Sequence, residues 1–265
     1  MTPDQLLACH DAGRLWPDHA SAAAFPDLDC AYRAALAVRA LRVARGERPR
    51  GYKVGFTNRA IWPIYQVFAP IWGTVWDSTL VCCDGRGQLS LANTCQPRLE
   101  PEIVFGIAAT PPADASLETL FACIDWVAPG FEVVQSHCAD WKFTAAETVM
   151  DGALHARLLV GRPTPARTFA PAGEALDNLF AATRVRLYCG ETLQDEGTGI
   201  HVLDGPLHAL LHFVRELRQC PGAPALQAGE VVTTGTWTDA WPVQAGQRWR
   251  SDFDAPLRGL QIEFL

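Results

Sequence analysis

The sequence predicts an α+β fold: a helical N-terminal segment over residues 1–50, then a mixed sheet domain with inserted helices over 51–265. Three observations predict it. Residues 30–46 place Ala35, Val38 and Leu41, and Leu36, Ala40 and Val43, at three-to-four spacing, with Arg33, Arg39, Arg42 and Arg45 largely opposite, which is the period of an amphipathic helix. From Tyr52 onward the texture changes to short runs rich in Val, Ile, Leu, Phe and Trp, separated by Gly, Pro, Asp and Asn turns. No period of 20 to 50 residues repeats and no linker composition divides the sheet region, so 51–265 reads as one unit.

In chain order, Asp4–Ala12 and Cys30–Gly46 are the N-terminal helices, closed by the turn at Glu47-Arg48-Pro49-Arg50-Gly51. The expected strands are Tyr52–Phe56, Leu89–Leu91, Glu102–Ala108, Phe131–Val134, Val185–Cys189, Val231–Thr234 and Gln261–Leu265. Thr144–Leu159 and Pro206–Gln219 are the expected inserted helices.

The chain of 265 residues is 49% apolar and 19% charged, a globular composition. Its net charge of -7 comes without any basic cluster, which excludes the electrostatic footprint of a nucleic-acid binder. No apolar run approaches a membrane span and the first residues do not resemble a secretion signal, so a soluble, cytoplasmic protein is expected. The nine cysteines include no C-x-x-C pair and read as reduced core residues. Of 22 basic residues only Lys53 and Lys142 are lysine. A retained lysine in an arginine-rich chain marks a place for a compact ammonium whose pKa can be tuned.

The chemistry concentrates in acids. Glu100 and Glu102 flank Pro101 at the head of an apolar strand, and alternation turns both toward one face, with Cα atoms about 6.5 Å apart. Pro101 cannot donate to a ladder, so a sheet edge or bulge is expected there. Glu132 lies inside the apolar run Pro129–Val134, where an unpaired carboxylate is costly. Three hard oxygen donors without sulfur or imidazole suit Mg2+ or Mn2+ better than Zn2+. His208 and His212 lie one helical turn apart, but Ala209 stands where a zinc-hydrolase glutamate would, so they read as ordinary helix histidines. No nucleophile elbow and no phosphate-binding P-loop occurs.

Gly51-Tyr52-Lys53-Val54-Gly55-Phe56-Thr57, Ala69-Pro70-Ile71-Trp72-Gly73 leading to Asp77, Pro97-Arg98-Leu99-Glu100-Pro101-Glu102, Glu132 with Ala139-Asp140-Trp141-Lys142, and Thr234-Gly235-Thr236-Trp237-Thr238 follow one another in order. Together they resemble the 2-oxopent-4-enoate hydratase and 4-oxalocrotonate decarboxylase family, a branch of the fumarylacetoacetate hydrolase superfamily. The resemblance implies a mixed β-roll or sandwich of the fumarylacetoacetate hydrolase C-terminal type and a divalent metal on Glu100, Glu102 and Glu132. It also implies a small 2-oxo acid substrate and a homo-oligomer, with association with a pathway decarboxylase or hydratase as a further expectation. The activity it implies is metal-dependent hydration of a 2-hydroxy-2,4-dienoate. The alternatives are decarboxylation of 4-oxalocrotonate-like diacids or an inactive metal-binding partner subunit. Lys53, Asp77 and Lys142 are the expected catalytic residues, with burial and an adjacent cation lowering the Lys53 pKa, and Thr57, Thr234, Gly235 and Thr236 the substrate-binding ones. Asp151-Gly152-Ala153-Leu154-His155 departs from the family's usual Asp-Asn pair followed by small residues.

Overall fold

Thr2 and Gln5 exchange the two hydrogen bonds of a capping box and start helix α1 (Pro3–Ala12), which Gly13 ends in the left-handed conformation at φ 57°. A computed structural model of the chain describes residues 1–17 and 27–265; the part of the expected helical segment between them lies outside the described residues. Asp27 caps α2 (Leu28–Ala44) by accepting from the Cys30 N–H at 2.7 Å. The chain then continues as β1 (Pro49–Gly55), the short α3 (Trp62–Tyr65), β2 (Ile71–Trp76), β3 (Leu80–Cys82), β4 (Arg86–Leu89), β5 (Arg98–Ile107), α4 (Leu117–Ala122) and β6 (Ile124–Val134). Next come α5 (Ala145–Met150), β7 (His155–Val160), β8 (Thr164–Pro165), α6 (Ala166–Phe169), α7 (Gly173–Ala182), β9 (Arg184–Cys189), β10 (Thr192–Thr198) and α8 (Pro206–Gln219). Four strands close the chain: β11 (Val231–Thr233), β12 (Trp241–Pro242), β13 (Arg248–Phe253) and β14 (Leu260–Phe264).

The strands form two mixed sheets. The larger runs β2-β1-β11-β5-β6-β7-β3, with β12 on β5 and β8 on β6; the smaller runs β10-β9-β13-β14-β4. Alternation along β5 and β6 sends Leu99, Phe131 and Val133 into a core shared with Leu187, Trp249, Leu260 and Ile262 of the smaller sheet. Farther along, the same face of the large sheet packs Ile103, Phe105 and Val127 against α4, α7 and α8 through Leu120, Phe180 and Phe213. The N-terminal helices join α5 and Ile71 in a separate apolar cluster through Leu6, Ala31, Val38 and Val149.

Two expectations change. The predicted helix over 144–159 stops at Met150, because Gly152, Ala153 and Leu154 all take positive φ and reverse the chain. The apolar run Leu158-Leu159-Val160 then enters the sheet as β7, between β6 and β3, where both faces are covered. Pro101 is not at a sheet edge. It sits in interior strand β5, opposite the break where β11 pairs Val104–Gly106 and β12 pairs Arg98–Leu99, so no neighbour needs the donor that proline lacks. The loop carrying Gly235 crosses that break.

Candidate metal centre and active site

The antiparallel register of β5 and β6 sets Glu100 directly opposite Glu132 and Glu102 opposite Gly130, so all three carboxylates emerge on one face. One carboxylate oxygen from each lies within 4.8 Å of the other two. Val104, Ala128 and Leu158 continue this face as a separate apolar cluster, so the acids stand at its end with little water. Glu102 and Glu132 are fully buried and Glu100 half-buried. Glu102 Oε2 accepts from the Gly235 N–H at 2.7 Å, and Glu132 Oε1 accepts from His155 Nδ1 at 2.9 Å. The remaining oxygens of this buried pair, Glu102 Oε1 and Glu132 Oε2, have no hydrogen-bond donor among the described residues. Buried carboxylate oxygens without donors, in an all-oxygen set, fit a hard divalent cation.

Lys53 lies on β1, beyond β11, and its side chain spans that strand to bring Nζ 3.5 Å from Glu132 Oε2. Burial pushes its ammonium toward neutrality, but Glu132, Glu100 and Glu102 outweigh burial and raise its pKa. In the metal-free chain the carboxylates thus hold Lys53 as a charged acid. Among the acids, burial and mutual repulsion raise Glu102 well above the ordinary carboxylate range, while burial lifts Glu100 to about 7 against the pull of Lys53. Glu132 goes the other way, because Lys53 and His155 more than offset its burial.

Of the expected substrate-binding residues, Thr57 and Thr234 are buried and Thr236 is half-buried. Thr234 Oγ1 has no hydrogen-bond partner among the described residues, and Thr236 Oγ1 accepts from the Thr238 N–H at 3.2 Å, leaving its own proton available. Gly235, at φ 104°, packs so closely on Thr57 that a Cβ would fall 1.9 Å from Thr57 Oγ1. Its N–H is committed to Glu102, so Gly235 orients that carboxylate and offers no free donor there.

Two expected catalytic residues lie elsewhere. Asp77 is exposed in the turn after β2, where its carboxylate accepts from the Arg48 N–H at 3.0 Å. Because β1 and β2 pair Lys53 with Gly73, Asp77 stands four residues, roughly 13 Å, along the strand from the position opposite Lys53. Lys142 is 83% exposed, with Nζ 3.8 Å from Asp140, so its partner is a surface acid. The resemblance located both by distance along the chain, which does not report strand register or exposure.

No local sequence pattern marks His155, Thr79, His10 or His137 as functional. His155 stood inside the expected helix and beside it Asp151, which now forms a second buried cluster. Asp151 Oδ1 lies 2.6 Å from His137 Nδ1 and 3.0 Å from His10 Nε2, and its Oδ2 accepts from the His137 N–H at 2.8 Å. His208 pairs with Asp177 at the start of α8, in keeping with an ordinary helix histidine.

No family model matches the chain. It is 31% identical to 2-hydroxyhexa-2,4-dienoate hydratase of Comamonas testosteroni, over 87% of this chain and 82% of that protein. It is 29% identical to 4-oxalocrotonate decarboxylase of a Pseudomonas species, over 77% and 75%. Its fold is similar to that of 4-oxalocrotonate decarboxylase from Pseudomonas putida G7, solved in complex with magnesium and adipate: TM-score 0.86 at 24% identity, covering 100% of this chain and 99% of that one. A fumarylpyruvate hydrolase from Pseudomonas aeruginosa, solved with Mn2+ and pyruvate, aligns at TM-score 0.63 and 16% identity, over 82% and 89%. The chain belongs to the family of 2-hydroxydienoate and 2-keto-4-pentenoate hydratases and 4-oxalocrotonate decarboxylases.

Proposed function

We propose that the protein is a divalent-metal-dependent hydro-lyase that adds water to a 2-hydroxy-2,4-dienoate, by way of its 2-oxo-enoate form, to give a 4-hydroxy-2-oxo acid. The observation that carries this reading is the trio Glu100, Glu102 and Glu132, with two buried carboxylate oxygens lacking donors beside a charged, buried Lys53. Mg2+ or Mn2+ is the fitting cation for such donors, and when bound it supplies Lewis-acid stabilisation of the enolate that the 2-oxo acid develops. Relatives named as hydratases support water addition. The two curled sheets, with apolar faces packed together, support a β-roll of the fumarylacetoacetate hydrolase type.

The chain's own residues bind the substrate and move the proton. The dienol ketonises by losing its enol proton and gaining one on carbon. Water then adds to the remaining alkene, its hydroxyl going to the carbon distal to the ketone and its proton to the adjacent one. Lys53 Nζ, a buried ammonium at the edge of the acid cluster, is the group placed to deliver and recover these protons. The free hydroxyl of Thr234 and the Thr236 O–H are the donors for the substrate carboxylate, while Gly235 holds Glu102. Thr57 packs beneath that loop.

The test is an assay of purified protein with Mg2+ or Mn2+ on a series of 2-hydroxydienoates. Bleaching of the dienoate's ultraviolet absorbance, a product heavier by one water and no CO2 is the expected result. Release of CO2 from 4-oxalocrotonate without net hydration would replace the hydratase by the decarboxylase that the 29% identical relative is named for. Metal binding without turnover of either substrate would leave the metal-binding partner subunit.

A further inference from the structure

We infer that His155 is a positioning residue for the metal-ligand carboxylate of Glu132, holding Oε1 so that Oε2 faces the cation; the inference rests on the metal reading proposed above. Strand β7 pairs with β6 through Glu132 and Leu158, then Val133 and Arg157, and then Val134 and His155, so the register shifts by one residue at Ala156. Regular alternation would turn His155 to the face opposite Leu158 and Glu132. The bulge re-aims it, and His155 Nδ1 comes to lie 2.9 Å from Glu132 Oε1.

The other side of the ring is held as firmly. His155 Nε2 lies 2.8 Å from Thr79 Oγ1, and that hydroxyl in turn accepts from the Trp76 N–H at 3.0 Å. A carboxylate oxygen can only accept, so Nδ1 carries the proton, and Nε2, at 2.8 Å, competes with the Trp76 carbonyl, at 3.2 Å, for the one proton of the Thr79 hydroxyl. This assigns one tautomer and one ring orientation. The Gln135 amide donates to the His155 carbonyl at 3.3 Å while its oxygen takes the Cys95 N–H, which ties the bulge to the neighbouring loop. The chain Trp76–Thr79–His155–Glu132 therefore ends on one oxygen of a ligand whose other oxygen has no donor. It starts in the turn joining β2 to β3, outside the carboxylate trio. His155 acts through Glu132, and a ligand fixed in this way binds metal more tightly than one free to rotate.

The experiment measures Mn2+ affinity, through the electron paramagnetic resonance signal of free Mn2+, for wild type, His155→Leu, His155→Asn and Thr79→Val, each checked for folding by circular dichroism. His155→Leu is expected to weaken Mn2+ binding about 10- to 100-fold. His155→Asn, whose amide nitrogen stands near the position of Nδ1, should recover most of that affinity even if its melting temperature falls as far as that of the leucine variant. Thr79→Val, which leaves the donor but frees the ring, should show a smaller loss, and it carries the test if His155→Leu does not fold. Wild-type affinity in folded His155→Leu, or in Thr79→Val where the leucine variant does not fold, overturns the positioning role. So does a folded asparagine variant no better than leucine. If wild type itself binds no Mn2+, the metal reading falls first and this inference with it; wild type that binds alongside an unaffected His155→Leu removes the inference alone.

Discussion

Two buried carboxylate–imidazole clusters lie at opposite ends of the segment 151–155, and they differ in what is left over. At Asp151 both carboxylate oxygens are met, His137 and His10 approaching one and the His137 N–H the other, and the atom left without a partner among the described residues is a ring nitrogen, His137 Nε2. The two imidazoles outweigh burial and lower the pKa of Asp151, while burial lowers that of His10. The cluster joins α1 to the segments after β6 and α5. At Glu132 one imidazole satisfies one oxygen, and the other, 3.5 Å from the Lys53 ammonium, faces Glu102 and Glu100 with no hydrogen-bond donor among the described residues. Acids and histidines are present in both places, so residue type alone does not mark the centre. Unmet carboxylate oxygens do, because three buried acids against the single ammonium of Lys53 leave negative charge that a cation from outside the chain would balance.

The strongest way to break this contrast is to count metals. Glu102→Gln is expected to abolish saturable Mn2+ binding and to lower metal-dependent kcat/KM by at least about 10³-fold, roughly 4 kcal/mol of transition-state stabilisation. Asp151→Asn should keep one Mn2+ per chain while losing about 3 kcal/mol of stability, as expected when a buried pair is broken. A wild-type stoichiometry of two, falling to one in Asp151→Asn, would show that the second cluster is a metal site as well. Next in size is Lys53→Met. Turnover should fall by about 10²-fold or more, with Mn2+ affinity retained because a positive neighbour has been removed from the ligands. Near-normal turnover would remove Lys53 from proton transfer.

The carboxylates were legible because their signal is local. Two acids two residues apart on a strand share a face whatever the rest of the chain does, and Glu132 is conspicuous inside an apolar run. That Glu100 would lie directly opposite Glu132 needed a register, which no local pattern contains. Lys53 was legible by composition, yet its charge state was not, since the raising of its pKa is a sum over acids on two other strands. His155 was hidden for a different reason: Thr144–Leu159 has apolar residues dense enough to read as one helix, and only three consecutive positive-φ residues turn it into a helix, a reversal and a strand. Asp77 shows the converse, a sequence neighbour of a matching block carried beyond reach by the strand between them.

A smaller effect should separate the two clusters by function. His10→Ala removes one of the two imidazoles from Asp151 while His137 keeps its contacts, so a stability loss of about 1–2 kcal/mol in urea denaturation is expected. Mn2+ affinity and turnover at 25 °C should stay at wild-type values. A tenfold loss of metal affinity in this variant would mean that the clusters are coupled through 151–155, and the contrast between them would fail.

The smallest expected effect is one of sign. Glu100 in the metal-free protein titrates at about 7, raised from its ordinary value by burial and by Glu132 against the pull of Lys53. A carboxyl whose folded pKa is raised contributes stability that is fully present below the unfolded value near 4.5 and lost as pH rises through about 7. His10 and His155, whose pKa values burial lowers, act in the opposite direction as pH rises, so the wild-type curve alone mixes the two. The difference between wild type and Glu100→Gln isolates the acid. In EDTA the melting temperature of wild type should fall relative to that of Glu100→Gln between pH 5 and pH 8, and Mg2+ should reverse the fall most strongly at the upper end, where the carboxylate is ionised and seeks a cation. A difference that is flat with pH, or that grows in favour of wild type without metal, would mean that Glu100 is already satisfied by groups of the chain and that the trio resembles the Asp151 cluster after all.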